Sequence, residues 1–356
     1  MTRTTAGAAG AGAPASDPLG VAVIGYGLAG AAFHAPLIHA TAGLSLAAVV
    51  TSDPERSSAA RARYPGAAVV ADVDRLWAMD GLDIAVIATP NRTHVRLGRE
   101  ALEAGLHVVV DKPVAPTVAG ARRLVEEARR RDRVLTVYHN RRWDGDFLTL
   151  RRLIAEDALG EVYRFESRFE RWRPVPEPGW RQSPEPGDAG GLLYDLGPHL
   201  VDQALQLFGP VRDVHAELDR RRTGSRVDDD TFLALSHESG VRSHLWMNAI
   251  AARPGPRFRV LGSRGTWTKH GLDVQETRLR AGLDPRDPGL GAEPKERRGV
   301  LDDGRNRRLV PTEPGAYLRF YEALEAAVRR GAPPPVDPRD AIDGLRIIER
   351  ALDAAM

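Results

Sequence analysis

The chain has 356 residues, 42% of them hydrophobic and 28% charged, which is the length and balance of two globular domains rather than one. It has no cysteine, so disulfide scaffolds, thiolate metal sites and cysteine nucleophiles are excluded. Lys+Arg 50 against Asp+Glu 48 leaves a net charge of +2, too small for a broad field toward nucleic acid or membrane, and no apolar run approaches the roughly 18 residues of a membrane span.

Residues 1–18 are an Ala/Gly tract with one arginine and no leucine-rich core; this reads as a disordered leader on a cytoplasmic protein, not as a secretion signal. From Leu19 the pattern alternates. Val21–Ile24 is a short apolar run ending in Gly25, the signature of a buried parallel strand, and a helix follows to about His39. Strands are expected over Leu44–Thr51, Ala67–Val70, Ile84–Ala88, His107–Val110 and Val134–Val137. Helices are expected over Pro54–Tyr64, capped by Asp53, over the stretch from a Thr93 cap to Ala104 with Gly105 as its stop, and over Thr117–Arg131. Six strands alternating with helices predict an α/β, doubly wound parallel sheet of the Rossmann type over residues 19–137.

The remainder, residues 138–356, predicts an α+β domain with a large, mostly antiparallel open sheet. A helix over Asp144–Glu156 and a strand over Glu161–Phe169 precede a Pro/Gly-rich loop, Pro174–Gly191. Asp230–Ser236 pairs with Val241–Ala249 as a hairpin, and Arg257–Leu261 with Thr266–His270. Ala281–Arg308 reads as a long exposed loop, and helices over Ala316–Arg330 and Arg339–Ala355 close the chain.

Ligands of a doubly wound sheet bind beyond the carboxyl ends of its strands, where Gly25, Thr51, Thr89 and Asp111 fall. Gly25-Tyr26-Gly27-Leu28-Ala29-Gly30 is G-x-G-x-x-G between a strand and a helix. There the glycines allow a tight turn, a close pyrophosphate and close helix–strand packing, and the helix N-terminus offers free N–H groups to the anion. The end of the second strand carries Thr51 and Ser52, with Asp53 next and Arg56 one turn on. Two hydroxyls and a guanidinium favour the 2′-phosphate of NADP; the alternative, with Asp53 only capping its helix and Arg56 solvated, leaves NAD possible.

Of the 50 basic residues only Lys112, Lys269 and Lys295 are lysine. Lys112 follows the fifth strand in Asp111-Lys112-Pro113, at the ligand edge, and an amine, unlike a guanidinium, can lose its proton when desolvated. In the stretch from Gly190 to Asp202, Asp195, His199 and Asp202 share one face if the segment is helical, with Pro198 starting or kinking that helix. Histidine is a natural proton carrier near neutral pH; a metal held by the same three residues is the less favoured alternative, and none is expected.

These motifs, with Thr89-Pro90-Asn91 and His94, together resemble the Gfo/Idh/MocA family of NAD(P)-dependent oxidoreductases over nearly the whole chain from Val21. Phe33-His34-Ala35-Pro36-Leu37, the stretch from Val137 to Asp144 and Tyr194-Asp195-Leu196-Gly197 are similar to its NADP-dependent scyllo-inositol dehydrogenase branch. Asp111 stands where the family usually has glutamate. The resemblance implies catalysis by Lys112, Asp195 and His199, with Lys112 or His199 taking a substrate hydroxyl proton as hydride passes to the nicotinamide. It implies a cofactor site of Gly25, Tyr26, Gly27, Leu28, Ala29, Gly30, Thr51, Ser52, Arg56, Thr89, Pro90, Asn91, His94, Asp111 and Lys112, and a substrate site to which Asn140, Tyr163, Arg168 and Trp172 are further candidates. The expected substrate is a cyclic polyol or sugar, and the expected assembly a homodimer or homotetramer joined through the second sheet, with no nucleic acid or membrane partner. A non-catalytic dinucleotide sensor and a ketosugar reductase of secondary metabolism are the alternatives.

Overall fold

The computed structural model describes residues 17–355; all but the last two positions of the expected leader lie outside the described residues. The first sheet consists of β1 (Leu19–Ile24), β2 (Leu44–Val50), β3 (Ala68–Val70), β4 (Ile84–Ile87), β5 (His107–Asp111) and β6 (Leu135–Tyr138). All six are parallel, in the order β3-β2-β1-β4-β5-β6. Val21–Val23, Ile84–Ile87 and Val108–Val110 are fully buried because helices cover both faces, which is why these strands are unbroken apolar runs rather than alternations. The covering helices are a π-wound segment, Gly30–His34, continuing into α1 (Ala35–Ala40), then α2 (Pro54–Arg63), α3 (Val73–Trp77), α4 (His94–Glu103) and α5 (Val118–Arg130). The expected first helix is thus π-wound in its middle. Asp53 caps α2, accepting from the Arg56 N–H at 3.0 Å. Thr93 does not cap α4: its hydroxyl donates to the Pro90 carbonyl at 2.7 Å, and the chain enters α4 through a 3-10 turn, Asn91–Thr93.

After α6 (Gly145–Ala155) the second sheet begins with β7 (Val162–Glu170). Then come α7 (Leu192–Asp195), α8 (Gly197–Phe208), β8 (Val211–Asp219), β9 (Asp230–His237), β10 (Arg242–Asn248), β11 (Phe258–Gly262), β12 (Gly265–Lys269), α9 (Gln275–Arg280), β13 (Gly299–Asp302) and β14 (Arg307–Val310). The order is β14-β13-β12-β11-β7-β10-β9-β8, and only the β7–β10 pair is parallel. Residues 281–308, expected to be one exposed loop, in fact supply β13 and the start of β14. β14 is an edge strand bearing Arg307, Arg308 and an exposed Leu309; such charge blunts an edge against further pairing and hides the strand from a search for apolar alternation. β8 also went unanticipated, its alternation broken by a register shift between Val211 and Asp213.

One face of this sheet packs on α8. Phe165, Phe169, Leu245, Met247 and Phe258 are fully buried there, with the Phe165 ring tilted against Phe208 at 5.4 Å between centroids. The other face is open and carries Phe232, His244 and Trp246, with Arg168 lying 3.9 Å over Trp246. The last helices, α10 (Leu318–Arg330) and α11 (Pro338–Ala355), lean back onto the first sheet's layer. Tyr321 meets His34 at 2.6 Å, the Thr136 hydroxyl donates to the Val336 carbonyl at 2.8 Å, and Glu349 accepts from the Val118 N–H at 2.8 Å.

Candidate active site

The glycine turn sits where the strand order reverses beside β1. Gly25 has φ +97°, and a Cβ there would lie 2.6 Å from the Ala88 carbonyl oxygen; a Cβ at Gly30 would lie 2.0 Å from the Gly25 carbonyl oxygen. Neither position admits a side chain. Gly27 differs: the one atom near its would-be Cβ is Arg56 Nη1, at 3.9 Å. The second glycine is therefore open toward the crevice, the room a dinucleotide pyrophosphate needs, while the first and third are shut against protein. Tyr26 is buried and Leu28 exposed, with Ala29 between Leu28 and the π-wound segment. Thr51 is buried at the end of β2 with its N–H on the Val70 carbonyl, and Ser52 is exposed beside it.

Thr89, Pro90 and Asn91 follow β4. His94, at the start of α4, places one ring nitrogen 2.9 Å from the Thr89 carbonyl and the other 2.8 Å from the Pro113 carbonyl. It thereby ties the loop after β4 to the loop after β5. Burial pushes its pKa down, against the pull of both carbonyls and Asp111. Asp111 accepts from the Lys112 N–H at 2.7 Å and faces His34 Nε2 at 3.7 Å. The Lys112–Pro113 bond is cis.

Lys112 crosses from the first sheet's edge to the second domain. Its ammonium donates to the Asp195 carbonyl oxygen at 2.5 Å and to its carboxylate at 3.2 Å. Asp195 is held by its own helix. Asp228 accepts from the Leu193 N–H at 2.7 Å to start α7, and Gly191, φ +93°, leaves room for that carboxylate where a Cβ would lie 1.8 Å from it. Arg181 Nε approaches the same Asp195 oxygen at 3.3 Å. Burial alone would raise the Asp195 pKa, but the charges of Lys112, Arg181 and Arg171 outweigh it and hold the carboxyl well below its usual range. The pair keeps less than a quarter of either side chain exposed, so removing one partner alone would leave a charge uncompensated.

His199 is buried on α8, its ring 6.3 Å from Phe169, and its Nδ1 has no hydrogen-bond partner. The Arg141 and Arg257 guanidinium groups both lie over that same Phe169, each 4.6 Å from its centroid. Burial, then the nearby Lys112 and Arg141 charges, hold the His199 pKa well below the ordinary histidine value. The imidazole is therefore neutral at pH 7 and able to accept a proton. Asp202, three residues further along α8, does not join it because it binds Arg142 at 2.9 Å, and the interruption at Leu196 sets Asp195 on the separate α7. The metal alternative built on Asp195, His199 and Asp202 loses its third member to that ion pair.

Asn140 is buried just beyond β6, next to His139, whose pKa is lowered by burial and then by Arg142 and Lys112 against the pull of Asp202. The other substrate candidates do not come together. Arg168 is on the open face, bonded to Glu166 at 3.0 Å. Tyr163 is half exposed at the far end of β7, roughly 26 Å of strand from the cleft, and Trp172 is exposed. Successive strand residues point to opposite faces, and the cleft takes the odd positions at the carboxyl end of β7. Those are Phe169 and Arg171, and Arg171 went unnamed in the sequence reading. Arg181 and Asp188 were missed as well. Asp188 pairs with Arg92 at 2.8 Å, and Asn91 donates to the Asp188 carbonyl at 3.2 Å, so the loop before α7 is fastened to the first domain.

Residues 19–139 match the model of an oxidoreductase family with an NAD-binding Rossmann fold, and residues 147–268 match the Gfo/Idh/MocA C-terminal domain. The chain belongs to the Gfo/Idh/MocA family. It is an NAD(P)-dependent oxidoreductase. It is 41% identical over 342 residues to YdgJ of Escherichia coli, an uncharacterized oxidoreductase, covering 96% of this chain and 97% of that one. It is 33% identical to the scyllo-inositol 2-dehydrogenase (NADP(+)) IolW of Bacillus subtilis, covering 95% and 94%. The solved structure of YPO2259 from Yersinia pestis superposes with a TM-score of 0.88 at 41% identity, covering 96% and 95%. Among the described residues no helix is long and apolar enough to cross a membrane.

Proposed function

We propose that this oxidoreductase interconverts a hydroxyl and a ketone on a cyclic polyol or sugar, with NADP(H) as its cofactor, in the manner the name of IolW suggests. The observation that carries the reading is the meeting of Lys112, from the first sheet's ligand edge, with Asp195 of the second domain, near enough to His199 for the ammonium charge to lower that imidazole's pKa. A bound nicotinamide supplies the hydride acceptor or donor. His199 accepts the hydroxyl proton, and the cations that depress its pKa make the protonated ring a ready donor in the reverse direction. Lys112 offers positive charge to the oxygen as it becomes an alkoxide, and Asp195 holds that ammonium in place. The reading carries with it a cytoplasmic location and assembly as a dimer or tetramer through the open face of the second sheet.

Lys112→Met tests it. NADPH binding, followed by its fluorescence, is expected to persist while turnover of inositols and hexoses falls by roughly a hundredfold or more. Wild-type-like turnover would remove Lys112 from the chemistry.

A further inference from the structure

Asp195 also lines a second space. A cavity of about 240 Å³ lies beside it, walled by Arg171, Arg173, Arg181 and Arg222 against Glu177 and Asp195 as the only acidic residues. Three of the four arginines are engaged. Arg222 is buried on Asp229 at 3.0 Å, Arg181 is on Asp195 and lies 4.4 Å over the Trp180 ring, and Arg173 faces Glu177 at 3.7 Å on the exposed rim. Arg171 is different. Its backbone is pinned, the N–H to the Asn248 carbonyl at 2.9 Å and the carbonyl to the Ala251 N–H at 3.0 Å. Its guanidinium lies 5.9 Å from the Phe169 ring, with no acidic partner in ion-pair reach among the described residues. Burial, the largest influence on it, draws its pKa down despite the more distant Asp195.

Several acceptors of the cavity are already engaged, and the carboxylate positions left are Glu177 at the exposed rim and the second oxygen of Asp195. The Asn248 amide oxygen accepts from the Ile250 N–H, and its nitrogen donates to Asp230. The Gln182 oxygen accepts from Arg222, and Asp195 accepts from Lys112 and Arg181. The wall has four guanidinium groups against two carboxylates, and the Arg171 guanidinium meets neither at ion-pair distance. A neutral polyol answers such donors only through single hydroxyl lone pairs. An oxyanion only accepts, and it fits the guanidinium fork with two parallel bonds.

We propose that the substrate whose hydroxyl reacts between Lys112 and His199 also carries a carboxylate or phosphate, and that Arg171, with Arg173 at the rim, receives that oxyanion. This narrows the substrate class and rests on the sugar oxidoreductase reading above. Asp195 couples the two ends, since its carboxylate meets Lys112 from the catalytic side and Arg181 from the cavity wall.

The test compares kcat/KM for glucuronate and glucose 6-phosphate with that for glucose and scyllo-inositol, in the full chain with NADP. One charged probe is expected to exceed its neutral counterpart by roughly 30-fold or more, and which of the two does so tells carboxylate from phosphate. Arg171→Met is expected to collapse that ratio toward one, chiefly through KM, and Arg171→Lys to keep part of it. Circular dichroism and NADPH binding check that both variants are folded. A wild-type ratio at or below one, or a ratio unchanged in Arg171→Met, overturns the proposal and leaves the neutral-polyol oxidoreductase standing. If no sugar of either kind turns over, the sugar reading fails, and calorimetry on the NADP-loaded protein decides the anion site by itself. Millimolar binding of glucuronate or glucose 6-phosphate that Arg171→Met abolishes supports it; no binding by wild type overturns it.

Discussion

The proposed preference for NADP is tested at Arg56, where the structure shows the arrangement that also leaves NAD possible, Asp53 capping its own helix and Arg56 facing solvent. Asp53, which might have reached a ribose hydroxyl, is turned onto its own helix, with one oxygen on the Arg56 N–H and the other 3.7 Å from Arg56 Nε. The Arg56 guanidinium is more than half exposed and stands next to the open second glycine, free to swing onto a 2′-phosphate. Arg56→Glu replaces that attraction by repulsion. It is expected to raise KM for NADP by roughly 10- to 100-fold, the scale of charged hydrogen bonds, and KM for NAD far less. Equal effects on both cofactors in steady-state rates would mean that Arg56 does not read the phosphate. A comparable logic separates Lys112 from the arginines around it: its compact ammonium reaches both the carbonyl and the carboxylate of Asp195, which a planar fork could not do from the same strand end.

At the scale of elements, what the sequence makes legible is what burial on both sides imposes. Val108–Val110 can only be a covered parallel strand, and so the lysine after it can only be at the ligand edge. The glycine turn was legible for a similar reason, since two of its three positions exclude any side chain. β7 was legible as a strand but not as a surface. Its residues divide between an α8-facing side and an open side, and choosing between Arg168 and Arg171 requires knowing which side the catalytic helices cover. The break at Leu196 was equally hidden: the i, i+4, i+7 spacing of Asp195, His199 and Asp202 is helical on paper, while Asp228 and Gly191 start one short helix and Pro198 begins another. The open side carries its own expectation. Phe232, His244 and Trp246 cluster there with Arg168, a partly buried aromatic patch suited to a second copy of the chain. Light scattering is expected to give a dimer or tetramer for the wild type and a smaller species for Trp246→Glu; a wild-type monomer at micromolar concentration would contradict assembly through this face.

Across the whole molecule the two domains share a set of buried histidines whose pKa values burial lowers. His94 joins the loops after β4 and β5, His139 follows β6, and His199 lies on α8. Burial is the largest cause of a lowered pKa in each, relative to an ordinary value of 6.5. At these three sites the unfolded chain binds more protons than the folded one from about pH 6.5 down to the lowered folded values, so their contribution to stability falls as pH drops through that range, while the carboxyls of Asp144, Asp228 and Asp273, which burial raises, act in the opposite direction. Asp195 acts in a separate window: its pKa is depressed in the fold, so the stability it contributes is intact above the unfolded value of 3.8 and is lost only at lower pH. The three imidazoles are expected to outweigh those carboxyls, so that thermal melts show Tm decreasing by several degrees between about pH 7 and about pH 5. All three rings stand at or beside the cleft, so loss of NADPH fluorescence should follow the same curve. His199→Asn is expected to make the Tm profile shallower over that interval, because one of the three groups that must take up a proton has been removed. A Tm profile that His199→Asn leaves unchanged from pH 7 to pH 5 would mean that this imidazole already holds its proton in the folded state, and His199 would then enter the reaction as a donor rather than an acceptor.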